Sequence, residues 1–129
     1  MNAPSLNRTD ALNCLPVRNP AVSESRQETT GEVILSYPVK IKSWIRIFQR
    51  HAQTSDASSC QIRKLQLDIL GTHVWDLIDG TASVLDISAA FAAAHRLNGR
   101  EAEISVTLFL RELGRREIIG MKPNFTSSP

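Results

Sequence analysis

The sequence has few cysteines and no long hydrophobic run, and each shortage excludes a class of protein. Two cysteines in 129 residues, Cys14 and Cys60, support neither a disulfide scaffold nor a zinc site. The apolar stretches are too short to span a bilayer, and no basic segment followed by an apolar run marks a secretory signal. We therefore expect a cytoplasmic protein that holds no metal.

Catalytic motifs are also missing. The chain contains no GKS or GKT phosphate loop, no GxSxG turn, no HExxH helix and no CxxC pair. His51, His73 and His95 do not have the spacing of metal ligands relative to cysteines or acids. We therefore expect no enzyme activity and no cofactor.

The balance of charge does not predict a nucleic-acid partner. Fifteen basic and 13 acidic side chains leave a formal net charge of only +2. Apolar residues make up 42% and charged residues 22% of the chain, which is ordinary for a globular protein. The length suits one domain with a sizeable core.

Composition divides the chain into one folded domain and two tails. Residues 1–30 mix Asn, Ser, Thr, Pro and Glu with isolated apolar residues, and this mixture predicts a disordered arm. The folded domain is expected over residues 31–122. Residues 123–129 are expected to form a flexible tail.

Two segments of the domain have the pattern of strands. Residues 31–37 are rich in β-forming residues, and the proline that follows, Pro38, predicts a place near the edge of a sheet. Residues 61–67 alternate, so that Leu65 and Leu67 face the core while Lys64 and Gln66 point outward.

An insert over residues 41–59 separates these strands. Residues 41–51 predict an amphipathic helix with an apolar face that includes Trp44, Ile47 and Phe48. This face could pack on the domain, dock a partner protein or touch a membrane surface, and the three side chains are candidate docking residues. Membrane contact is disfavoured because the helix is short and its polar face has only three basic groups.

Three helices are predicted after the second strand, each with a recognisable start. Asp68 caps the first, Ser83 and Asp86 form a capping box for the second, and Asn98 with Glu101 caps the third. The predicted core faces are Leu70, Val74, Leu77 and Ile78; Val84, Ile87, Phe91 and Ala94; and Ala102, Val106, Phe109, Leu110 and Leu113. The order predicts an α+β fold, a short antiparallel sheet with a three-helix bundle, similar to a winged helix-turn-helix.

Two sequence blocks carry a resemblance to a known family. LDILGTHVWDLIDG at 67–80, followed by Val84 and Ile87 and then by EAEISVTLFLREL at 101–113, resembles the PqqD family. This family contains pyrroloquinoline quinone biosynthesis protein D and the related recognition elements of ribosomal peptide maturation. The resemblance covers roughly residues 32–120, and the insert at 41–59 departs from the family pattern.

The resemblance implies a non-catalytic adaptor. Family members bind the leader part of a precursor peptide and present it to a maturation enzyme, often a radical S-adenosylmethionine protein. The leader is added as a strand, in a groove walled by the third helix. In this chain the corresponding elements are residues 61–67 and 101–113.

The candidate peptide-binding residues come from these two elements. The helix has a second apolar strip, Ile104 and Leu108, nearly opposite its predicted core face, with Thr107 and Arg111 beside it. The sheet, the insert or a second chain could cover this strip instead of a peptide. From the strand, the candidates are Arg63, Lys64, Leu65 and Gln66, whose charges could attract acidic groups or protect an edge.

Two other functions remain open alongside the adaptor. A winged-helix protein could bind DNA, but the predicted third helix carries Glu101, Glu103 and Glu112, and acids facing phosphate are unfavourable. A structural subunit could use the Ile104 and Leu108 strip and the insert to form a homodimer.

Overall fold

The computed structural model describes residues 8–40 and 60–124 of the chain, and it has an α+β fold. The predicted insert helix, with Trp44, Ile47 and Phe48, lies outside these residues. No helix among the described residues is long and apolar enough to cross a membrane. The elements are α1 (Arg8–Asn13), β1 (Leu15–Arg18), β2 (Ser23–Arg26), β3 (Val33–Lys40), β4 (Cys60–Gln66), α2 (Ile69–Leu77), α3 (Val84–His95), α4 (Gly99–Arg115) and β5 (Ile119–Lys122).

The described chain divides into two compact units. One contains the three antiparallel strands β2, β3 and β4, in that order across the sheet, within Pro20–Leu67. The other joins the chain up to Asn19 with the chain from Asp68 onward, and it contains the helices and the antiparallel pair of β1 and β5. The α+β class is confirmed, whereas the winged arrangement stays a prediction.

The prediction of a disordered arm over residues 1–30 is wrong for the segment that holds α1, β1 and β2. The partner of β1 is β5, with Leu15 opposite Lys122 and Arg18 opposite Ile119, so this strand depends on residues far away in the sequence. Arg18 also donates a hydrogen bond of 2.6 Å to the carbonyl oxygen of Trp75 and lies over its ring. Four-residue strands are too short to show a period, which is why composition alone predicted disorder.

Pro38 does not place β3 at the edge of its sheet. The strand lies between β2 and β4, and only its first half pairs on both sides, because β2 extends no further than the pair of Ser23 with Ser36. Pro38 pairs with Ile62 of β4 and lies beyond the last residue pair with β2. A residue that cannot donate a backbone hydrogen bond is therefore accommodated where β3 has one described neighbour.

The helices begin where the capping residues predicted. Asp68 accepts a hydrogen bond of 2.7 Å from the backbone N–H of Gly71 at the start of α2. Capping boxes start α3 at Ser83 and α4 at Asn98, with reciprocal bonds between side chain and backbone in each. After α2, Gly80 has φ 85°, a conformation that favours glycine.

Most of the predicted core is buried, with four exceptions. Leu70 is 48% exposed and Ala94 is exposed, while Leu77 and Phe109 are half-buried. Trp75, which borders the apolar stripe of α2, is also buried. The side chains buried in the helical unit include Val74, Ile78, Val84, Ile87, Phe91, Ala102, Val106, Leu110, Leu113, Ile118 and Ile119.

Candidate functional site

The strand β4 has one open edge in the described part of the chain. It pairs with β3 from Cys60 to Gln66, and no described strand pairs with its other side. Alternate N–H and C=O groups of an edge strand point away from the sheet and can pair with another extended chain. This backbone row is the first component of the candidate site.

The register with β3 assigns the side chains of β4 to two faces. Leu65 is opposite Leu35 and Arg63 is opposite Tyr37; both β3 residues are buried, so this is the covered face of β3. Neighbouring residues along a strand point to opposite faces. The other face therefore carries Ile62, Lys64 and Gln66, and all three are exposed.

The four predicted residues of β4 all lie in the strand with the open edge, but they differ in exposure and in hydrogen bonding. Arg63 and Lys64 are exposed, and Leu65 is half-buried on the covered face. The amide of Gln66 donates a hydrogen bond of 3.0 Å to a carboxylate oxygen of Glu32. The positive charges of Arg63 and Lys64 therefore lie on opposite faces of one edge strand.

The helix α4 carries the predicted second apolar strip. Ile104 is 47% and Leu108 is 56% exposed, whereas Val106 and Leu110 on the opposite side are buried. The two exposed residues are four positions apart and share one side of the helix. A second apolar surface is thus present on α4, in addition to the one that forms the core.

Thr107 and Arg111 have different surroundings from the exposed strip. They line a cavity of about 260 Å³ together with residues of α1, α3 and β5. Buried Cys14 also lines it; the thiol donates a hydrogen bond of 3.4 Å to the carbonyl oxygen of Asp10. The helical spacing places Thr107 and Arg111 beside Ile104 and Leu108, as predicted. The residues that line the cavity include Thr107 and Arg111 but neither Ile104 nor Leu108.

The charged end of α4 is organised by local ion pairs. Glu112 accepts hydrogen bonds from Arg115 at 3.2 Å and from Arg116 at 2.9 Å. These hydrogen bonds, that of Arg115 first, hold the pKa of Glu112 below its ordinary value. Arg115 and Arg116 are thus both paired with Glu112 at the end of this helix.

Sequence reasoning missed two features. Nδ1 of His73 and Nε2 of His95 are 2.9 Å apart and share a hydrogen bond between α2 and α3, although 22 positions separate them. The second is Ile62, the most exposed of the large hydrophobic side chains in the described chain at 66%. The signal for Ile62 was available, because an isoleucine interrupts an otherwise polar strand face. Within the described ranges, no group of three or more His, Cys, Asp or Glu is placed to hold a metal ion.

The segment that contains most of β4 and the three long helices is similar to a known protein family. Residues 61–119 match the model of coenzyme PQQ synthesis protein D (PqqD). This match confirms the PqqD resemblance. The PqqD-like segment starts in β4 and includes α2, α3 and α4, so both candidate surfaces lie within it. Among curated proteins, none matches the sequence.

A solved structure has a similar fold. It is TbiB1 in complex with the TbiA(beta) leader peptide, with a TM-score of 0.55 and 20% sequence identity. The similarity covers 80% of this chain and 93% of that chain. At this identity the likeness supports the α+β fold alone. The roles of individual site residues stay predictions.

Proposed function

We propose that this protein is a non-catalytic adaptor that binds the leader segment of a ribosomally made precursor peptide by β-strand addition and presents it to a maturation enzyme. The observation that carries the proposal is the open edge of β4 within the PqqD-like segment. The structure similar to this chain was solved with a leader peptide, which supports the same class of ligand.

Strand addition supplies affinity that depends little on the peptide sequence. Each backbone hydrogen bond formed between the peptide and β4 contributes about 1 kcal/mol net, because the bonds replace hydrogen bonds to water. β4 extends over Cys60–Gln66, so an added strand can form several such bonds. Side chains must then supply the selectivity.

The proposal assigns two side-chain surfaces to the leader. One is β4, through Arg63, Lys64, Leu65 and Gln66; the other is α4, through Ile104 and Leu108. The surfaces belong to different units, and each is assigned on its own chemistry: an open strand edge and an exposed apolar strip. Thr107 and Arg111 remain predicted contacts; they also line the cavity formed with residues of α1, α3 and β5.

The proposed partners of the chain are a maturation enzyme and a second copy of itself. A maturation enzyme, of the radical S-adenosylmethionine type in the family resemblance, would receive the bound leader. The Ile104 and Leu108 strip could also join two copies of the chain. A cytoplasmic location belongs to the proposal as well.

Binding of a leader peptide with and without blocked backbone groups tests the proposal. The probe is the leader segment of the precursor encoded nearest to this gene, labelled with fluorescein, and anisotropy reports its binding to the full chain. The backbone N–H groups of the peptide are methylated at either the odd-numbered or the even-numbered residues. One of these two peptides should lose binding and the other should bind nearly unchanged, because only every second N–H group faces β4. Equal tolerance of both sets would contradict strand addition.

A pair of helix variants tests the apolar surface. Leu108→Ser should weaken the same peptide about tenfold, since one buried leucine contributes on the order of 1.5 kcal/mol or more at an interface. Leu85→Ser is the matched control, because Leu85 is 46% exposed on α3 and outside the proposed site. Equal effects of both substitutions would remove α4 from the proposal.

A further inference from the structure

The exposed face of β4 presents an apolar residue and a cation in register. Ile62 and Lys64 are two positions apart, so both side chains lie on the face that also carries Pro38 and Ser36 of β3, their partners in the register. Both are exposed. An added strand would place two of its own side chains directly beside them, about 5 Å away between Cβ atoms.

Ile62 makes this face unusual for an exposed edge. It is 66% exposed, and a β-branched apolar residue on an open edge promotes unwanted pairing. Ile62 contributes little to the stability of the fold, because most of its surface remains in water. An apolar side chain from an added strand would cover it.

The charges of β4 indicate the chemistry of the strand that covers it. Residues 60–66 contain Arg63 and Lys64 and no acid. A second copy of β4 paired in antiparallel orientation about its centre would put Arg63 opposite Arg63, and like charges directly opposite destabilise a sheet. An acidic strand is complementary where a second copy is not.

We propose that the strand captured by β4 carries an apolar side chain opposite Ile62 and a carboxylate opposite Lys64, two positions apart on one face. This inference rests on the proposed function and specifies the peptide class. In antiparallel orientation the peptide order is acid, any residue, apolar residue; in parallel orientation it is the reverse. The spacing follows from the period of two in a strand.

Selection from a random twelve-residue peptide display library against the full chain tests this pattern. Enriched peptides should contain an Asp or Glu two positions from a Leu, Ile, Val or aromatic residue, in one constant order. One enriched peptide is then measured against Lys64→Glu. We expect affinity to fall about fivefold or more, and to recover when the peptide acid is replaced by lysine.

Arg63→Glu is the matched control, because Arg63 is exposed on the opposite face of the same strand. It should not be rescued by the peptide change that rescues Lys64→Glu. Enriched peptides that bind at β4 without the acidic residue, or equal rescue of both variants, would overturn the inference while leaving the proposed function intact. Failure of both the selected peptides and the leader segment to bind would contradict the proposed function itself.

Discussion

The helix α4 has two apolar sides, of which one is buried and the other is exposed. On one side Ala102, Val106, Leu110 and Leu113 are buried, and on the other Ile104 and Leu108 remain about half exposed. The hydrophobic effect accounts for the first side, because burying a leucine stabilises a fold by about 1.5–3 kcal/mol. It does not account for the second, which gains little from folding. The comparison therefore separates residues that build the domain from residues available to a ligand.

Truncating one leucine on each side of α4 should give the largest difference in the free energy of unfolding. Leu110→Ala should lower the free energy of unfolding by about 3 kcal/mol, because Leu110 is 1% exposed and its loss leaves a cavity. Leu108→Ala should lower it by less than about 0.5 kcal/mol. Urea denaturation of both variants measures the difference. Similar losses would show that the exposed strip is part of the core in solution.

Phe109 of α4 leaves little room at Gly71 of α2. A Cβ atom at Gly71 of α2 would lie 3.1 Å from Cε1 of Phe109 and 3.2 Å from the capping oxygen of Asp68. Gly71→Ala should therefore destabilise the protein by about 1–2 kcal/mol, despite the better helix propensity of alanine.

Gly114→Ala is the matched control for this contact. Gly114 is also helical, but a Cβ atom there would meet nothing within 4 Å. We expect this substitution to stabilise the protein by about 0.5–1 kcal/mol. Thermal denaturation compares the two variants, and stabilisation by both would mean that Phe109 moves freely.

The smallest effect is expected at the exposed carboxylate of Glu112. Hydrogen bonds from Arg115 and Arg116 hold its folded pKa below the ordinary 4.5, so they stabilise the folded state above that pH. The stabilisation is lost as the pH falls through the folded pKa. Glu112→Gln should flatten the decline of stability in this acid range.

Urea denaturation at several pH values measures this slope. Added 0.5 M sodium chloride should reduce the difference between the original chain and Glu112→Gln, because salt screens exposed charges. An unchanged slope in the variant would mean that the ion pairs do not persist in solution.

Local sequence signals predicted the elements whose contacts are local. The caps at Asp68, Ser83 and Asn98 place the helix starts because each bond joins residues three apart. The alternation around Leu65 and Leu67 and the apolar period of α4 also predicted which sides are buried and which are open. Most of the candidate site could thus be located from its residues.

Contacts between distant residues could not be predicted in the same way. The pairing of β1 with β5 has no local period, and the contact of His73 with His95 depends on the packing of α2 against α3. Leu70 fits the apolar period of α2 but is exposed, because the period does not reveal how far the neighbouring elements extend.

Amide hydrogen exchange of residues 60–66, measured by NMR with and without the leader peptide, tests the central claim most directly. Alternate amides of β4, those that do not donate to β3, should exchange at least about tenfold more slowly when the peptide is bound, because each gains a carbonyl acceptor. The amides of β2 at the opposite edge of the sheet should not change. Protection gained in β2, or no protection in β4 at saturating peptide, would contradict strand addition at this edge.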